Sequence, residues 1–381
     1  MDFSSNKRIL LSVALILIVS SGVIAVYFLG IGETESPTNF TFTKHTLAEP
    51  THASSASCID LDGDSDTDIL GVIDSTFSWW ENLGSANFEY HVIADDIPSA
   101  LFLKGVDLDL DNDIDLVGNT FDTHQLIIFI NDGTQTFSNQ TISDTFNGGI
   151  SISFADINGD SYPDIVACAY EDDKVCWFEN NQDLTFTERI IADDLEMSNR
   201  ACVVDFDFDS DLDIIAQGLT TGEIMFYEND GSQNFISHVL YIATGMVHGV
   251  SPADLDGDSD IDIAGCTISG DGSVFWLEYL EDEGLIYFEM HDLTIDFEGA
   301  NYISSIDFDF DGDFDIVASA SECEEIAIWE NLGGNAFRKH NITGFAAATF
   351  TIADLDGDGD LDILGITHHP AEFAWFENTS T

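Results

Sequence analysis

The chain has 381 residues and carries 72 Asp plus Glu against 9 Lys plus Arg, a formal charge of −63. So strong a negative field excludes nucleic acid as a partner and disfavours adhesion to anionic lipid through a basic face. With 44% hydrophobic and 12% aromatic residues it is no disordered acidic tail, and its length fits two or three domains or one large repeat domain.

Residues 1–8 form a short tail that ends in the basic pair Lys7 and Arg8. An apolar run over 9–31 follows, broken only by Ser12, Ser20, Ser21 and small glycines. At about 1.5 Å per residue such a run crosses a bilayer. It exceeds the roughly 7–15 apolar residues of a secretory signal, and no small-x-small cleavage site follows. We therefore read it as an uncleaved transmembrane signal-anchor; cleavage would make the protein secreted instead. The basic pair places the tail in the cytoplasm, and everything beyond the polar linker 32–38 outside. An outside location permits disulfides. Of Cys58, Cys168, Cys176, Cys202, Cys266 and Cys323, only Cys168 and Cys176 are spaced as a local pair. The alternative is that all six are buried small hydrophobes.

From 39 to 381 one unit is written seven times. An acidic nonapeptide starts at Asp60, Asp107, Asp156, Asp205, Asp254, Asp307 and Asp354, reading DLDGDSDTD in the first copy and DLDGDGDLD in the last. Each runs into an apolar strand such as DILGVI, then a strand ending in aromatic-Glu-Asn, then a polar turn, then a strand of the form F-x-x-H. The second and fifth units depart, with FIND and FWLE. Four strands of this length cannot bury both faces alone, whereas radial stacking does so. The expected fold is all-β, a seven-bladed β-propeller. The F-x-x-H-type strand at Phe42 precedes the first acidic loop, and the last unit ends before any such strand. The strand Phe42–Leu47 is therefore expected to pair with the segment around Trp375–Asn378 and close the ring.

The acidic loops read as cation sites. The proposed ligands are Asp60, Asp62, Asp64 and Asp68; Asp107, Asp109, Asp111 and Asp115; Asp156, Asn158, Asp160 and Asp164; Asp205, Asp207, Asp209 and Asp213; Asp254, Asp256, Asp258 and Asp262; Asp307, Asp309, Asp311 and Asp315; and Asp354, Asp356, Asp358 and Asp362. Position seven of each loop is assigned a backbone carbonyl. Hard oxygens at alternate positions suit Ca²⁺, up to seven ions; Mg²⁺ demands a tighter octahedron, and the loops offer no Cys or His to zinc. A turn near position six must bring position nine back. Gly312, Gly359 and Asn112 suit a left-handed backbone there better than the Ser of the other four loops.

These D-x-D-G-D-x-D-x-D loops, with the following D-[IL]-[VLA] and the aromatic-Glu-Asn strand, resemble FG-GAP/VCBS repeats, the class of the integrin α-subunit propeller. The resemblance covers roughly 39–381 and implies a calcium-binding propeller. It leaves function open among adhesins, lectin-like modules and propellers of carbohydrate-active enzymes. Leu110 in loop two, and Asn158 and Tyr162 in loop three, depart from the pattern.

The loops join strands one and two, so the opposite face carries the strand two–three loops and the blade-to-blade connections. Candidate ligand-binding residues there are His52, His124, Arg200, His248, Tyr302, His368 and His369. His45, His91, His238, His291 and His340 recur at one outer-strand position, which argues for structure rather than catalysis. No nucleophile elbow, zinc-protease helix or phosphate loop is present, and no catalytic residue is nominated. Two functions follow. The first is a cell-surface or secreted recognition and adhesion module for glycan or protein ligands, touching the membrane only through its anchor. The second is a lyase, dehydratase or hydrolase acting on carbohydrate from the face away from the loops.

Overall fold

The computed structural model describes residues 40–269, 272–282, 285–368 and 370–380, together with the backbone of 17–20 and 23–26. It is a seven-bladed β-propeller. The anchor expected over 9–31 lies for the most part outside the described residues. The two short strands there, β1 (Leu17–Ser20) and β2 (Val23–Val26), form a hairpin whose Val19 pairs with Val203 at the inner edge of the fourth blade. No helix among the described residues is long and apolar enough to cross a membrane.

Blade one is β4 (Ala53–Ile59), β5 (Asp68–Ile73), β6 (Thr76–Asn82) and β7 (Phe88–Ala94), counted from the axis outward. Blade two is β8 (Ala100–Val106) to β11 (Phe137–Ser143), and blade three β12 (Gly149–Ala155) to β15 (Phe186–Ala192). Blade four is β16 (Ser198–Val204) to β19 (Phe235–Ile242), blade five β20 (Val247–Ala253) to β23 (Leu285–Thr294), and blade six β24 (Ala300–Ile306) to β27 (Phe337–Thr343). Blade seven takes β28 (Ala347–Ala353), β29 (Asp362–His368) and β30 (Ala371–Asn378) from the end of the chain and β3 (Phe42–Ala48) from its beginning. The pairing runs from Phe42↔Asn378 to Thr46↔Ala374, the closure expected from counting.

Burial explains each strand's composition. The second strands are buried on both sides and read as unbroken apolar runs, whereas the outermost strands are largely exposed. Among the described residues the core is not one mass but seven clusters, each filling the seam between two neighbouring blades. Trp80, Phe129, Trp177, Tyr227, Trp276, Trp329 and Phe376 are all buried in these seams or at their edges. Cys168 faces the seam between blades three and four, and Cys176 faces the seam between two and three. The expected local pair is therefore not made: register sets Cys168 opposite Val175, so the two thiols project from opposite sides of the sheet.

Four blades have glycine at the fourth residue of the second strand (Gly71, Gly118, Gly265 and Gly365), where a ring of the adjoining seam approaches closely, and three have Ala. In the seam of blades one and two the far end of the Phe77 ring packs against Gly118, where an added Cβ would stand 2.8 Å from the ring. Gly118→Ala is expected to cost about 1–3 kcal/mol through overpacking. Urea unfolding in excess calcium checks this, and an unchanged midpoint would mean the seam has room to spare.

Candidate metal centres and the axial cavity

Each acidic loop is organised around its ninth residue. Asp68 is fully buried; one carboxylate oxygen accepts the Leu61 N–H at 2.9 Å and the other accepts the Asn82 N–H at 2.7 Å. The same double acceptance recurs at Asp115, Asp164, Asp213, Asp262, Asp315 and Asp362. The carboxylate thus ties the loop's second residue to the end of the third strand. That end is an Asn in six blades, the Asn of aromatic-Glu-Asn in five of them and Asn131 of Phe-Ile-Asn in blade two. In blade five the backbone of Tyr279 takes its place at 2.8 Å, which is how FWLE is tolerated there.

The Asn side chain completes the link. Asn82, Asn180 and Asn331 donate to the carbonyls of Leu355, Leu108 and Leu255, each at the second position of the preceding blade's loop, at 2.7–2.8 Å. One buried amide therefore fixes two neighbouring loops against each other.

Within the loops, the first residue folds the backbone around itself. Asp60 accepts Gly63 N–H at 2.8 Å and Ser65 N–H at 3.0 Å, while Asp62 and Asp64 accept the amides two residues on. Position six is left-handed in all seven loops, with Ser65, Ser161, Ser210 and Ser259 adopting it as fully as Gly312 and Gly359. Position four is left-handed too, which the sequence reading missed. Gly occupies it in loops one, three, five and seven, but Leu110, Phe208 and Phe310 hold it in the others, with their side chains 45–60% exposed.

The loops bring ligand-type oxygens together. In loops one, two, four and five, carboxylate oxygens of positions one, three and nine lie within 4.8 Å of one another. Asp109, Asp205 and Asp307 each hold a buried oxygen with no hydrogen-bond partner among the described residues, as expected of atoms reserved for a cation. So do Asp260 and Asp360 at position seven, whose carboxylates crowd Asp258 and Asp358 and are pushed up to about 7 by burial and that repulsion. At position seven of loops five and seven the side chain thus lies among the other loop carboxylates. In loop three Asn158 accepts from the Asp160 amide through its oxygen and donates to the Asp160 carboxylate through its nitrogen. The donor set, all oxygen and largely carboxylate, fits a hard divalent cation.

The recurring histidines are outer-strand braces. His45, His91, His238, His291 and His340 each meet the Glu of the third strand at 2.6–2.8 Å, and Arg189 meets Glu179 in the same place. Three of the rings also lie flat on Trp375, Trp79 and Trp276 at 4.5–4.7 Å.

At the other end of the inner strands, a β-bulge at the second residue recurs in all seven blades. Bulges re-aim the residues that follow, and here positions three and five line an axial cavity of about 60 Å³. Position five is a ring of small polar groups, with Lys104 as its exception. It stitches the blades together: Ser57 donates to Leu103 O, Lys104 to Ile152 O at 2.7 Å, and Ser153 to Ala201 O. At position three the Arg200 guanidinium lies 3.8 Å above the Tyr302 ring. Burial and the nearby Arg200 charge lower the Lys104 ammonium to about 7.

Of the sequence-nominated ligand residues, the structure brings Arg200 and Tyr302 together. His248 is committed between blades, its Nδ1–H donating to Asn301 O at 2.7 Å, and burial holds it below its ordinary value. His368 is engaged with Ala53 O, and His124 approaches Glu171 at 3.9 Å. His52 is exposed in the connection before β4, and His369 lies outside the described residues. Lys104 was missed, although it is the one long side chain at a position otherwise occupied by Ser, Thr and Cys.

A family of FG-GAP-like repeats matches residues 107–167, 156–216, 205–265 and 307–365, more than half of the chain. The chain belongs to this repeat family. Nothing among the curated proteins matches it. Among solved structures it is similar to selenomethionine-substituted virginiamycin B lyase from Staphylococcus aureus, with 10% identity, TM-score 0.59, and 89% of this chain and 99% of that one covered. BBS1N in complex with ARL6DN is similar at 10% identity and TM-score 0.58, covering 89% and 97%. At this identity the FG-GAP repeat chain shares with both a fold and nothing finer.

The ninth-position carboxylates set a pH dependence. Burial raises Asp68, Asp115, Asp164, Asp213 and Asp362 to about 7, with hydrogen bonds from the amides opposing the rise, and lifts Asp262 to about 8. Their folded values lie above the unfolded one, so the metal-free fold takes up protons that the unfolded chain does not. This contribution is fully present below about pH 4, where the unfolded carboxylates are protonated too, and is lost progressively as pH rises to about 7 to 8. Metal-free protein is therefore expected to be more stable to urea at pH 5.5 than at pH 8.5; the opposite order would contradict it.

Proposed function

We propose that this FG-GAP repeat protein is a calcium-stiffened recognition module held outside the cell membrane, presenting the face away from its acidic loops to glycan or protein ligands. The observation that carries the calcium part is the convergence of carboxylate oxygens in the loops, several buried and without a hydrogen-bond donor among the described residues. Each loop would hold one Ca²⁺ through its first, third, fifth and ninth residues. The ion would neutralise like charges that otherwise repel within a few ångströms.

The direction of the chain supports the placement. β3 begins at Phe42 opposite Asn378, whose amide bonds Asp362, so the chain enters the propeller on the acidic-loop face. The linker 32–38 spans at most about 25 Å when extended. The face away from the loops is the one beside which Arg200 stands without a carboxylate partner among the described residues, which favours recognition over a purely structural role.

The reading is tested in two steps. Extracellular calcium sites bind at about 10⁻⁴–10⁻³ M, so about 10 mM Ca²⁺ would add roughly 1.4–2.7 kcal/mol per occupied site. Chelation is then expected to lower the Tm steeply, and metal analysis to find several calcium ions per chain. A Tm indifferent to chelator would sink the calcium part. Incubation of the calcium-loaded protein with a polysaccharide panel follows, expecting retention without chain cleavage. Depolymerised product would establish the carbohydrate-active alternative instead.

A further inference from the structure

The axial cavity has a charge that the rest of the molecule does not. Of the seven bases beyond the N-terminal tail, Lys44, Lys174, Arg189, Arg338 and Lys339 lie within 4.0 Å of a carboxylate. Lys104 and Arg200 have no carboxylate partner among the described residues, although the chain carries 72 acids. Both line the same cavity, on blades two and four. Two cations placed together in a confined site repel each other, and confinement alone does not explain them when acids are so abundant.

Their surroundings select what would join them. Arg200 is held flat on Tyr302, which orients the guanidinium and leaves its N–H edge without a hydrogen-bond acceptor among the described residues. Among the described residues Lys104 makes one hydrogen bond, to Ile152 O, and an ammonium has three protons to give. A planar fork beside a point charge is the donor arrangement that a carboxylate accepts. Ser304 and Thr351 line the same space and make it polar. A volume of about 60 Å³ holds a carboxylate group but not a sugar ring, so the remainder of a larger ligand would stay at the mouth.

We infer that the axial cavity is a carboxylate-binding site in which Arg200 and Lys104 together hold one carboxylate group of the ligand. The group could belong to an acidic sugar or to a free small carboxylic acid; the chemistry recognised is the same. The inference rests on the recognition reading and gives it a ligand class, while its own test needs neither polymer binding nor an anchor.

The experiment is calorimetric titration of the calcium-loaded full chain, at low salt, with glucuronate, acetate and the neutral control glucose. Arg200→Gln, Arg200→Lys, Lys104→Met and the outer-strand control Lys339→Gln are titrated in parallel, with thermal unfolding to confirm that each is folded. Glucuronate is expected to bind where glucose does not. Arg200→Gln and Lys104→Met should each weaken it at least tenfold, Arg200→Lys should weaken it less, and Lys339→Gln should leave it unchanged. Tighter binding of glucuronate than acetate assigns the carboxylate to an acidic sugar, and equal binding assigns it to a free acid. Failure of both carboxylates to bind folded wild-type protein overturns the inference, as does undiminished binding by folded Arg200→Gln and Lys104→Met. Carboxylate binding without any retained polysaccharide would leave the site standing and remove the glycan part of the recognition reading.

Discussion

A buried carboxylate clamped between two backbone amides is the interaction on which this propeller depends. It joins each acidic loop to the third strand of its own blade, and through the adjacent Asn, in three blades, to the loop before it. Burying a carboxylate without a cation is costly, and two amide donors offset only part of that cost. The remaining oxygens of the loop are therefore best understood as the other half of the same device. They provide a place where positive charge can enter and relieve a carboxylate that architecture demands.

Much of this was legible in residue order, because repetition multiplies a weak signal. Seven copies of one spacing reveal a radial array, and the displaced strand at Phe42 reveals its closure. What stayed hidden was whatever depends on side-chain direction. The spacing of Cys168 and Cys176 suggested a bond, but strand alternation sends them into different seams. Left-handed turns were anticipated where Gly or Asn stood, yet Leu110, Phe208 and Phe310 adopt the same backbone because the loop's hydrogen bonds impose it. Lys104 had no motif to announce it. Only the bulged inner strands bring it to the axis, beside an Arg200 that lies nearly a hundred residues later in the chain.

The distribution of charge follows from the same geometry. Acids line the turns of both faces, with Asp74, Asp95, Asp96, Asp122, Asp193 and Glu298 among those away from the acidic loops, and the outer strands balance charge locally through His–Glu and Arg–Glu braces. Among the described residues the axial cavity is where Lys104 and Arg200 stand away from carboxylates. An anionic ligand would be repelled by the molecule as a whole and meet cations there.

The shared seventh blade also has a consequence for how the protein is made. Thr41 and Ser380 touch although they lie 339 positions apart, so blade seven joins β3, the first blade strand to be synthesised, to β30 near the end of the chain. During translation the early blades can assemble on one another, but β3 must wait, unpaired, until nearly the whole chain has emerged. Its polar and charged residues, Thr43, Lys44, His45 and Thr46, make a poor template for association with other chains during that interval. Completion of the ring thus needs both ends of the repeat array: a product truncated before β30 would leave β3 without its partner and blade seven incomplete.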